Sequence, residues 1–143
     1  MSNRRIREVK KAVAAELHKL YEKKNGLRPS EIVKEAKDKD SPLHGEFEWN
    51  NSKAGHEYRL WQARQLIRVV VIETDDPDKP DRYVHVPVSL AEEKENESGE
   101  GVYLPMRVVV QDVDAFTRAL TELTAKMRAA IAAAEELRDA AQS

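Results

Sequence analysis

Eight apolar positions near the C-terminus constrain this chain more than any other feature. Phe116, Leu120, Leu123, Met127, Ala130, Ala134, Leu137 and Ala141 follow one another in alternating steps of four and three. Steps of two would line one face of a strand. Alternating fours and threes draw one narrow stripe on an α-helix, the a and d positions of a heptad. The spacing predicts a helix over 112–140, capped by Asp112 or Asp114 and roughly 40 Å long at ~1.5 Å per residue. Its second half, MRAAIAAAEELRDAA, is rich in the best helix former and presents little apolar width. Such a stripe suits one partner helix. That partner is a second copy, giving a homodimer through the C-terminal helix, or the apolar stripe of the N-terminal helix folded back on it.

That N-terminal helix is predicted over 4–24. Ile6, Val9, Val13, Leu17 and Leu20 recur at helical spacing, and Asn25-Gly26 supplies a left-handed stop. Pro29 and Glu31 open a second helix over 29–37, with Ile32, Val33 and Ala36 as its buried face. Arg28 stands where a serine or threonine cap is usual. Ser41-Pro42 begins a short helix or turn, and Leu43, Phe47 and Trp49 cluster after it. Asn50, Asn51 and Ser52 are N-caps for a helix over 52–68 with a wide apolar face. Trp49, Tyr58 and Trp61 read as a structural knot. On that reading Trp61→Ala costs roughly 3–5 kcal/mol.

At Arg68 the period changes from 3.6 to 2. Val69 to Ile72 is a β-branched strand candidate. Asp75 to Asp81, DDPDKPD, is a turn. Arg82 to Leu90 alternates Tyr83, His85, Pro87 and Ser89, read as the exposed side, with Val84, Val86, Val88 and Leu90, read as the buried side. Ala91 to Gly101 is an acidic loop, and Val102 to Val110 is a third strand. The expected class is α+β: N-terminal helices of helix-turn-helix type, a small three-stranded antiparallel sheet over 69–110, and the long C-terminal heptad helix. Residues 1–110 form one winged-helix-like domain and 111–143 the helix.

Composition excludes several classes. There is no cysteine among the 143 residues, so no disulfide or thiolate chemistry. No apolar run reaches the ~18 residues of a membrane span, and MSNRRIREVKK lacks the apolar stretch of a secretory signal. The expectation is a cytoplasmic protein that does not enter the membrane. Phosphate-loop, nucleophile-elbow and paired-carboxylate motifs are missing, so no catalysis and no cofactor are expected. His44, Glu46, Glu48, His56 and Glu57 lack a standard metal-ligand spacing, which argues against a metal site.

The stretch Ser41–Arg68 holds both tryptophans. It reads Ser41-Pro42-Leu43-His44, Phe47-Glu48-Trp49-Asn50, Tyr58-Arg59, Gln62-Ala63-Arg64, then Leu66-Ile67-Arg68. In this pattern the chain resembles a set of small phage and prophage proteins, well over about 27–72 and in outline elsewhere. The resemblance implies a phage setting and carries no particular chemistry.

Charge is laid out unevenly. Residues 1–30 carry nine basic and three acidic residues, 51–68 four and one, and 69–143 eight and sixteen, within a net charge of −2. The two positive blocks nominate Arg4, Arg5, Arg7, Lys10, Lys11, Lys53, Arg59, Arg64 and Arg68 as nucleic-acid contacts. The element order suggests a winged helix-turn-helix with 29–37 and 52–68 as the helix pair and 69–90 as the wing. Against it stand the long Asp38–Asn51 connection and an acidic wing tip. Two functions follow: a phage-derived DNA-binding or regulatory protein acting on duplex DNA, or a non-catalytic protein–protein module acting on a host or phage factor.

Overall fold

The computed structural model describes residues 10–50, 55–88 and 100–143. Helix α1 spans Lys11–Lys24 and buries Val13, Leu17 and Leu20. Lys10, expected within a helix over 4–24, is instead the non-helical N-cap of α1, and residues 4–9 of that span lie outside the described residues. Asn25 adopts the left-handed conformation and Gly26 donates its N–H to the Tyr21 carbonyl, which ends the helix.

Helix α2, Pro29–Ala36, buries Ile32, Val33 and Ala36 as the spacing predicts. Its missing local cap is replaced from far along the chain. The Glu100 carboxylate accepts from the backbone N–H and the hydroxyl of Ser30 in the first turn. An acid there also suits the positive end of the helix.

The segment that follows is a set of interlocked side chains. Ser41 Oγ accepts the Leu43 N–H, and a 3-10 turn runs His44–Glu46. His44 donates from Nδ1 to the Ala36 carbonyl at 2.8 Å and stacks on Trp49, with ring centroids 5.0 Å apart. Trp49 Nε1 donates to the His44 carbonyl at 2.8 Å, and the Arg59 guanidinium lies 5.3 Å over the Trp49 ring. Glu48 donates its N–H to Gln62 Oε1. These contacts fasten the 41–50 loop to helix α3, His56–Val69, which packs Ala63, Leu66 and Ile67 inward. The fully buried Ala63 presents only a methyl group in a helix that packs closely on α2. Gly55 precedes the first turn, and the caps expected at Asn51 and Ser52 lie outside the described residues.

The β part is smaller than expected. Strands β1, Tyr83–Val86, and β2, Val102–Pro105, form a two-stranded antiparallel sheet with Tyr83 opposite Pro105 and Val86 opposite Val102. Val69 finishes α3. The run after it makes one isolated bridge, Ile72 to Asp81, rather than a third strand. A second bridge joins Leu27 to Tyr103. The strand expected over 102–110 stops halfway, because Pro105 has no N–H to continue the ladder. Met106–Val109 instead forms a short helix, α4, which carries Val109 into a buried position.

Helix α5 spans Val113–Gln142 and starts at Asp112, whose Oδ1 accepts the N–H groups of Asp114 and Ala115. The main core joins α1, α2, the 41–49 loop, α3 and Tyr83. A smaller cluster places Val86, Val109, Ala115 and Ala119 against Val84, Val102 and Leu104. The sheet therefore lies between the helical body and the first turns of α5.

Tyr83, expected on the exposed side, is 8% exposed and packs edge-on against Tyr21. The expectation failed because this sheet is covered on both faces, so alternation does not separate core from solvent. Burial, with Tyr21 and Asp81 adding to it, pushes the Tyr83 phenol up to about 12. The folded state holds that proton where the unfolded chain, titrating near ~10, has lost it. Stability should therefore fall as pH rises from about 10 to 12, by roughly 2–3 kcal/mol. Urea melts across that range check this: Tyr83→Phe should flatten the fall, and an equally steep fall in the variant would refute the assignment.

Candidate interaction surfaces

Among the described residues, two helix faces carry exposed large apolar side chains in a row. The first belongs to α5. Only Ala115 and Ala119 of this helix are buried, and every residue from Ala125 to Ser143 is exposed. Those 19 residues project about 28 Å beyond their last contact with the body. The seam residues Phe116, Leu120, Leu123, Met127 and Leu137 are 43%, 49%, 54%, 59% and 74% exposed. At about 100° per residue the seam lies roughly 100° around the helix from Ala115, Ala119 and Glu122, which face the sheet. Val110 and Val113 extend the exposed apolar strip at its N-terminal end.

Polar contacts fix the root of this helix. His85 Nδ1 lies 2.7 Å from Glu122 Oε1, and its Nε2 lies 3.0 Å from the Glu100 carbonyl. Arg118 donates to the Pro87 carbonyl and pairs with Asp114 at 2.9 Å. The seam does not fold back on α1, whose own stripe is spent in the main core.

The second face belongs to α3. Tyr58, Trp61, Gln65 and Arg68 follow one another in steps of three, four and three, with Arg64 beside them. The rings of Tyr58 and Trp61 stack at 5.6 Å, with 20° between their planes, and are 45% and 48% exposed. Trp61 is thus outside the knot in which the sequence placed it. The wide apolar pattern of α3 hid this, because it offers two lines and only the Ala63–Leu66–Ile67 line is buried. Trp61→Ala is expected to lower stability by about 1 kcal/mol or less, as for a surface residue. A thermal melt showing a loss near the 3–5 kcal/mol of a buried ring would restore the knot.

Of the nine nominated cations, Arg4, Arg5, Arg7 and Lys53 lie outside the described residues. Lys10 and Lys11 are exposed at the start of α1. Arg59 is engaged over Trp49 and donates to the Glu48 carbonyl. Arg64 and Arg68 make no side-chain hydrogen bond or ion pair among the described residues. Both lie close enough to Tyr103 to act on its phenol, which burial raises and the two guanidiniums oppose.

Among the described residues no three His, Asp or Glu side chains come together to hold a metal ion. His44 is occupied by the Ala36 carbonyl and the Trp49 ring. Among the described residues no helix is long and apolar enough to cross a membrane. No protein-family model matches the sequence, and comparison with curated proteins and with solved structures finds no match.

Proposed function

We propose that this chain is a non-catalytic interaction module that works as a homodimer joined through α5. The observation that carries the reading is the bare heptad seam on a helix that leaves the body after Glu122. A helix draws most of its stability from packing an apolar stripe, and among the described residues nothing packs on this one beyond its first turns. A strict a/d repeat is complementary to its own copy, and two-fold pairing is the commonest way for such a stripe to close. Alanines at 130, 134 and 141 let the two helices approach closely, while contributing little buried area. Most of the attraction then comes from Phe116 to Met127. Light scattering at high micromolar concentration should give twice the 16.3 kDa chain mass. A strict monomer would remove the reading. The resemblance of 27–72 to phage proteins supports a host or phage factor as the further partner of the dimer.

A second reading, nucleic-acid binding, is favoured by Arg64 and Arg68, which make no side-chain hydrogen bond or ion pair among the described residues, beside exposed aromatic rings on α3. Helix α3 packs on α2, as the second helix of a helix-turn-helix does, and a dimer would present two copies of the face. Mobility-shift titration at two salt concentrations tests it, since phosphate contacts weaken steeply with salt. No shift at low salt would leave the dimeric interaction module alone.

A further inference from the structure

We propose that the outer face of α3 is a platform for single-stranded nucleic acid, with Tyr58 and Trp61 stacking on bases and Arg64 and Arg68 holding phosphates. This deepens the nucleic-acid reading of α3 and rests on it.

Single exposed apolar side chains are ordinary on a protein surface. A pair of half-exposed rings, stacked at 20° between their planes and followed on the same helix by Arg68 on their line and Arg64 beside it, is more specific. The indole N–H of Trp61 has no acceptor among the described residues, so the ring is not held by a polar contact. From Tyr58 to Arg68 the stripe is about 15 Å long. Arg64 and Arg68 sit about one turn apart in the last two turns of α3, which puts them at one end of the stripe with the rings at the other. Aromatic faces take any base that is unstacked, and guanidiniums take phosphate oxygens as bidentate partners.

Duplex DNA fits this arrangement less well. Its base faces are buried in its own stack, and its grooves offer edges, which call for donors and acceptors where α3 presents rings. The exposed carboxylates of Asp75, Asp76 and Asp78 also follow within ten residues of Arg68. A broad polyanion meets more of them than a single strand lying along the helix. An acidic peptide would satisfy the arginines and leave the two rings without flat partners.

Fluorescence anisotropy of the full chain against a labelled oligothymidylate about 20 nucleotides long, and against a duplex of the same length, decides the matter. The single strand should bind more tightly, quench tryptophan emission and weaken with salt. Trp61→Ala and Tyr58→Ala should each reduce its affinity about 10-fold while melting like the parent, and Trp61→Phe should retain most of it. Equal or tighter duplex binding, or a Trp61→Ala variant that binds as the parent does, would overturn the platform and leave the broader nucleic-acid reading in place. Competition by polyglutamate as effective as by unlabelled oligonucleotide would overturn it in favour of an acidic protein partner. Binding of neither nucleic acid at low salt would remove both readings.

Discussion

Leu123→Glu combined with Met127→Glu should turn a dimer into a monomer. Both positions lie in the seam and are more than half exposed in the single chain, so the body has no stake in their apolarity. In a two-fold pair they place four carboxylates in one dry stripe, where an unpaired charge is costly to bury. The dissociation constant should rise at least about 100-fold, a change of about 2.7 kcal/mol. Helicity should fall with it, because residues 125–143 are exposed in the single chain and then lose the partner helix they pack on. The melting of the body, read by the environment of Trp49, should not change. Glutamates at Ala125 and Ala132, on the side opposite the seam, provide the control: they add the same charge and should leave the dimer intact. If the control dissociates as readily as the seam variant, net charge rather than the seam governs association. Sedimentation equilibrium on the two variants and the parent separates these outcomes.

The seam was readable because its period persists over eight positions and needs no knowledge of the remaining fold. The helices α2 and α3 were readable for a related reason: Pro29 and the Ala63–Leu66–Ile67 line are local signals that tertiary packing reinforced. What the residues did not disclose was decided by distant contacts. Glu100 serves as the cap that Arg28 does not supply, across a separation of 70 residues. Val69–Ile72 has strand chemistry, but α3 takes its first residue and the two-stranded sheet leaves only a single bridge for its last. Trp61 has core chemistry and an exposed position, because an apolar pattern wide enough for two neighbours does not say which line is covered. The 41–50 contacts also show where a local motif is spent. His44, Trp49 and Arg59 hold one another and Gln62 holds the Glu48 backbone, while Tyr58 and Arg68 from the same stretch are exposed and Arg64 is half-buried.

Gly26→Ala should be among the most damaging single substitutions in the chain. Gly26 has φ +149°, a conformation that residues with a Cβ rarely adopt. It follows Asn25, itself left-handed at φ 57°, so the chain turns sharply on leaving α1. That turn aims Leu27 at Tyr103, where the two residues exchange backbone hydrogen bonds of 2.9 and 2.7 Å. Leu27 is fully buried in the main core, and the bridge also ties β2 to the helical body. A Cβ on Gly26 would overlap the Val102 Cγ2 and crowd Leu104, so both the backbone angle and the space are denied. Backbone strain of this kind costs of order 1–3 kcal/mol. With the overlap added, a total loss of about 3–4 kcal/mol is expected. The two contributions can be separated. Val102→Ala in the Gly26→Ala background removes the overlapping methyl and should recover part of the loss, leaving the backbone term. Asn25→Ala, at a milder left-handed position, should cost less than Gly26→Ala. Chemical denaturation of these variants checks the order. A Gly26→Ala protein as stable as the parent would mean that the α1–β2 junction can relax without losing the Leu27–Tyr103 bridge.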